Sequence, residues 1–169
     1  MKATSILHNA ATRPAEAARH LRSALSPEVL NAHLGGHENS VAWLLWHTGR
    51  EIDVQTAELA DSGEVWARGD YARRTGIGAL GDGVGLGHTA AEAHQIRSDD
   101  GDALVDYLAA ATEALLDYIS TLTEADLEEI IDENWDPPVT RGIRLVSIID
   151  DAAQHVGQAA YAVGALSQR

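Results

Sequence analysis

Two stretches of the chain carry apolar residues in alternating steps of four and three, a spacing that suits packed helices and little else. Val41, Leu45, Thr48, Ile52, Gln55 and Leu59 form one series; Leu145, Ile149, Ala152, Val156, Ala159 and Val163 form the other. A helix turns by about 100° per residue, so each series becomes a stripe along one face, suited to a helix–helix seam. The first of these helices opens at Asn39-Ser40 and reaches about Ala60, where Asp61-Ser62-Gly63 ends it. The second follows Thr140 and runs to about Leu166, because Pro137-Pro138 bars any helix from upstream. Two further segments read as helices. One runs from about Pro14 to Leu25, with Pro14 in the opening turn and Thr12 near the cap. The other starts after Ser98-Asp99-Asp100-Gly101 and carries Leu104, Val105, Leu108, Leu115, Leu116 and Ile119. No period-2 alternation predicts a sheet. The expected fold is all-α, a four-helix bundle with a long irregular connection between helices 2 and 3.

That connection, residues 62–100, holds many of the glycines. Within it Thr89-Ala90-Ala91-Glu92 matches a capping box and predicts a brief helix around Ala90–Ile96. A connection of this length in a small domain is usually a functional loop or a lid. Residues 26–38 also read as irregular, with a short helical turn starting at Ser26-Pro27-Glu28 and Gly35-Gly36 further on. Gly76-Ile77-Gly78-Ala79-Leu80-Gly81 has the letter pattern of a phosphate-binding loop. The mechanism of that loop needs a strand before it and a helix after it, and neither is predicted here.

Composition removes several function classes. The 169 residues fit one domain, 1–169, able to bury a real core. There is no cysteine, which excludes disulfides, thiolate nucleophiles and zinc-finger cages; any thiol chemistry has to use a thiol from outside. A formal net charge of −14 with no basic patch argues against nucleic acid and against an anionic membrane. No apolar run approaches the ~20 residues of a membrane span. Met1 to Ala11 lacks the pattern of a signal peptide, so a cytoplasmic protein is expected.

The residues that carry chemistry flank the two stripes. His47 lies about 100° from its stripe and Glu51 about 60° on the same side; Asp151 and His155 lie about 100° and 60° from theirs, with the same rotational sense. If the two helices run antiparallel, these flanks face each other. Asp151 and His155, four apart on one helix face, reach a single ion, and His47 completes a facial set of two nitrogens and one oxygen with open positions. An aspartate and a histidine at this spacing also form an ordinary helical ion pair, so the residues alone leave both readings open. Glu51 reads equally as an acceptor behind the ligands, a general base or a surface acid. Trp43, one turn before His47, walls a pocket or simply packs. His33 and His37, separated by two glycines, suit a loop. His88 and His94 flank the short loop helix and either approach the pocket or stay solvated. No serine, histidine and acid fall into a nucleophile arrangement.

The stretch Asn39-Ser40-Val41-Ala42-Trp43-Leu44-Leu45-Trp46-His47-Thr48-Gly49-Arg50-Glu51 resembles the second-helix motif of the DinB-like superfamily. More closely it resembles the branch related to mycothiol-dependent maleylpyruvate isomerase. Arg141-Gly142-Ile143-Arg144-Leu145 through Asp151-Ala152-Ala153-Gln154-His155-Val156-Gly157-Gln158 resembles the fourth-helix motif of that branch. The resemblance implies a four-helix bundle with a metal at one end, often as a homodimer. His47 matches the ligand histidine of the second helix and His155 the last ligand of the fourth. Asp151 stands where many members have histidine and the isomerase branch has glutamate; its shorter reach allows a water bridge in place of direct ligation. The chain lacks room for the isomerase's additional C-terminal domain, which sets maleylpyruvate itself aside. Zinc suits such a borderline site first, with nickel, iron or manganese as alternatives.

The resemblance thus implies a metal-binding enzyme that uses a low-molecular-weight thiol, mycothiol or one like it, as cosubstrate. The reaction would be an S-transfer or isomerisation of a small-molecule electrophile, with His47, Asp151 and His155 as ligands and Glu51 taking a proton. The glycine-rich residues 76–87 would close over the substrate. A non-catalytic metal- or ligand-binding bundle of the stress-response kind is the alternative, and an iron(II) oxygenase uses the same ligand types.

Overall fold

The computed structural model describes residues 2–167; Met1, which opens the stretch read against a signal peptide, lies outside them. Four long helices build the fold: α1 (Ala3–Leu21), α2 (Val41–Leu59), α3 (Gly101–Thr121) and α4 (Arg141–Leu166). Three of them start where a side chain takes up a free backbone N–H of the first turn. Ser40 accepts from the Trp43 amide, Asp100 from Ala103 and Thr140 from Ile143. Most of both predicted stripes lies in the core: Leu45, Thr48, Leu145 and Ala159 are fully buried, Val41, Ile52, Ala152 and Val156 nearly so, and Gln55, Leu59 and Ile149 are half-buried.

α2 packs on α3 and α4, and α1 packs on the same two helices from the other side. Directions follow from particular pairs. Arg50 meets Tyr107 and Thr56 shares a cavity wall with Ala114, so α2 and α3 run parallel. His47 meets His155 and Leu44 shares a wall with Ala162, so α2 and α4 run antiparallel. Arg22, just past α1, reaches Asp102 and Asp106 at the start of α3, which sets α1 antiparallel to α3. Parallel neighbours need a crossover between them, and residues 60–100 supply it. It folds as short turns (Val65–Arg68, Tyr71–Arg74, Gly78–Asp82 and Ala90–Ala93). The expected capping box of Thr89 and Glu92 is present. The Gly76–Gly81 string falls in a turn and a 3-10 segment, with no strand before it among the described residues.

Two expectations need correction. The first helix starts at Ala3, not Pro14, and Pro14 sits buried in its interior. An interior proline costs about 3 kcal/mol. Here Leu7, Ala11, Ala15 and Ala18 continue one apolar face through it onto the core, and that packing holds the upstream turns in place. The chain also has a small sheet that no alternation announced: β1 (Ile130–Asp132) pairs antiparallel with β2 (Val139–Thr140). Strands of three and two residues are too short to show a period. Arg144 steadies this ribbon through Asp132, and Arg141 does so through Glu129.

Gly49 shows how tightly α2 and α3 approach. A Cβ there would lie 2.6 Å from the Tyr107 ring, which is itself fully buried. Alanine favours a helix over glycine by up to about 1 kcal/mol, whereas overpacking a core costs about 1–3. Urea unfolding of Gly49→Ala should therefore show a net loss of stability of about 1–2 kcal/mol. Gly157→Ala, where a Cβ meets nothing within 4 Å, should be neutral or stabilised.

Candidate metal centre

The antiparallel packing of α2 and α4 brings the two predicted flanks together. Ligand atoms of His47, Asp151 and His155 all lie within 4.8 Å of one another. Glu51 stands one turn beyond His47, close enough to Asp151 for that charge to act on it.

His47 is buried, with its ring stacked on Trp43 at 4.4 Å between centroids. Its Nδ1 lies 2.5 Å from the Val84 carbonyl oxygen. A carbonyl only accepts, so Nδ1 carries the hydrogen and Nε2 keeps a free lone pair. Burial holds the His47 pKa below its ordinary value; the Val84 carbonyl opposes this, and nearby His155 adds to it. His47 is thus a neutral imidazole with the tautomer a metal ligand needs.

His155 is set up differently. Its Nδ1 donates to Gln158 Oε1 at 2.9 Å, and its Nε2 lies 3.4 Å from Asp151 Oδ1. The Asp151 contact raises the His155 pKa, against the cost of burial, and the same contact lowers that of Asp151. The other carboxylate oxygen, Asp151 Oδ2, is buried without a hydrogen-bond partner. An ionised oxygen left so is costly, and a cation beside it removes the cost. The orphaned oxygen, the free Nε2 of His47 and the second imidazole together fit a divalent ion of borderline softness. The Glu51 carboxyl is pushed upward, first by burial and then by Asp151, while Gln55 donates to it at 2.9 Å and resists the shift.

The crossover closes one side of this site. Trp46 Nε1 donates to the Gly81 carbonyl at 3.2 Å, and Arg50 donates to those of Asp82 and Gly83, both at 2.9 Å. With His47 on Val84, side chains of α2 grip four successive carbonyls. Gly85 then passes the tryptophans at positive φ, where a Cβ would lie 2.8 Å from the Trp46 ring. Only glycine meets both demands.

Of the other histidines, His88 joins the wall: it accepts from Trp43 Nε1 at 3.2 Å and stacks on Trp46. His94 lies against His33 instead. His33 and His37 flank a 3-10 turn whose two glycines have positive φ, the expected loop. Sequence reasoning missed Val84, Arg50 and Gln158. Gln158 was within reach of it, being one turn from His155; Val84 acts through its backbone and leaves no side-chain signal.

The arrangement defines a helical bundle with an imidazole–carboxylate–imidazole site between two antiparallel helices. Residues 11–159 match the DinB superfamily, and the chain belongs to it. A crystal structure of a conserved protein from Enterococcus faecalis is similar at 35% identity over 96% of each chain, with a TM-score of 0.87. No curated protein matches the chain.

The two imidazoles should titrate apart in metal-free protein. His155 should remain protonated above pH 6.5, the ordinary value, and His47 should remain neutral below it. A raised histidine contributes stability that is fully present below pH 6.5 and lost as pH rises through its folded value. NMR titration of the imidazole resonances checks both, and Asp151→Asn should bring His155 back down.

Proposed function

We propose that His47, Asp151 and His155 hold one divalent metal ion, zinc first, and that the protein is a thiol-dependent S-transferase or isomerase. The observation that carries the metal reading is the buried, partnerless Asp151 Oδ2 beside two imidazoles. The DinB-like resemblance, in which such sites often bind metal, supports it. The thiol reading rests on the resemblance to the mycothiol-dependent branch and on the absence of any cysteine in the chain. A divalent ion held here would supply Lewis acidity that favours the thiolate form of an external thiol at neutral pH.

The chain's own residues do the rest. Val84 fixes the His47 tautomer, and Gln158 orients the His155 ring. Trp43 and the gripped crossover keep water from one side of the site. Glu51, with its pKa raised by burial, takes the proton that the thiol gives up.

Protein purified without chelator should contain close to one divalent metal per chain by elemental analysis. Chelator competition should show that His155→Ala weakens metal binding more than Asp151→Asn, since the asparagine keeps an oxygen and the alanine leaves no nitrogen. Stable metal-free protein indifferent to added zinc would sink the metal reading.

Cobalt-substituted protein should develop a sulfur-to-metal charge-transfer band when a small thiol is added, strengthening as pH rises. His47→Ala should abolish the band, and His33→Ala should leave it intact. Absence of a band with every small biological thiol tried would leave a metal-binding bundle without thiol chemistry.

A further inference from the structure

A second pocket lies one helical turn from the centre, between the start of α2, the 34–39 turn and the second half of α4. Its volume is about 640 Å³, within the range of small-molecule sites. Asn39, Gln154 and Gln158 offer amides to it, Leu44 and Tyr161 offer apolar surface, His37 adds a ring whose Nδ1 already accepts from the Asn39 backbone amide, and no aspartate, glutamate, lysine or arginine lines it. In a chain whose residues are 22% charged, that wall is selective. The pocket also touches the centre. Gln158 forms part of the pocket wall and accepts from His155 Nδ1, and Leu44 precedes His47 by one turn on α2.

We propose that this pocket seats the non-reacting body of the substrate, and that the substrate is an uncharged small molecule bearing amide or hydroxyl groups. A carboxylate or phosphate entering here would lose water with no lysine or arginine to meet it, inside a protein of net charge −14. An ammonium group would find no carboxylate in the wall. Amide side chains both donate and accept, so they satisfy neutral hydrogen-bonding groups without a charge on either side. The Leu44 side chain and the exposed Tyr161 ring cover the apolar part. The link to a reacting group depends on the metal-centre reading; binding in the pocket does not.

The test uses a matched pair, benzoylglycinamide and benzoylglycine, which share a body and differ in charge. Each is titrated at pH 8 into metal-free and zinc-loaded full-length protein. Backbone amide NMR shifts of Leu44, Gly157 and Ala162 are followed. The amide should shift these residues in both forms, with the carboxylate binding about tenfold or more weakly. Gly157→Phe, at a position with open space beside it, should fill the pocket and remove the shifts while metal content stays unchanged. Equal or tighter binding of the carboxylate, shifts that survive Gly157→Phe, or no shifts in either form would overturn the proposal. Failure of the metal or thiol reading registers separately, in elemental analysis and in the cobalt band.

Discussion

The buried guanidinium of Arg50 is the interaction on which the site's geometry depends. It is 1% exposed and sits in a cage of oxygens from Asp53, Glu64, Tyr107, Asp82 and Gly83. A charge removed from water this completely costs several kcal/mol unless its donors are met, so the cage has to form if the helix is to pack. Asp53 carries the constraint outward by accepting from the Val65 and Trp66 amides and from the Tyr107 hydroxyl. One polar cluster thus ties α2 to α3 and pins both limbs of the crossover. Val84 follows directly on the carbonyls that Arg50 grips. The hydrogen bond that sets the His47 tautomer is therefore positioned by a neighbour one turn along the same helix face.

Electrostatics then divides two chemically identical side chains. His47 lies deep against Trp43 with its Nδ1 hydrogen on a neutral carbonyl, and burial keeps a second proton off. His155 is less enclosed and faces an anion, which draws a proton onto it. Without an ion the centre holds an ion pair beside a neutral imidazole. With one, the cation takes over the part played by the His155 proton. The site is polarised along its length, from the neutral α2 side to the charged α4 side. Glu51, raised by burial and by Asp151, stands at the edge of that field.

The helices were legible where caps and stripes agree: Ser40 and Thr140 each begin the helix that their spacing announces, whereas α3 starts at Gly101, inside the stretch expected to precede it, with Asp100 as its cap. His47, Asp151 and His155 were legible for the same reason, since helical periodicity fixes where a side chain points and antiparallel packing does the rest. Pro14 misled because a proline at a helix start and one tolerated mid-helix look alike until the packing of Ala11, Ala15 and Ala18 is known. The β-ribbon and the crossover's path were hidden for a different reason. Their order comes from Arg144 on Asp132, Arg141 on Glu129 and Arg50 on backbone carbonyls, contacts between residues distant in sequence that leave no local period.

The parallel course of α2 and α3 has a consequence for how the protein is made. His47 and His155 are more than a hundred positions apart, and the crossover between the parallel pair lies within that interval. Contacts of this range form only after most of the chain entropy has been surrendered, so no early fragment holds the whole paired site. An ion that needs both helices ignores every partly folded species and stabilises only the completed chain, by mass action. Occupancy of the centre by such an ion would then serve as a readout of finished folding.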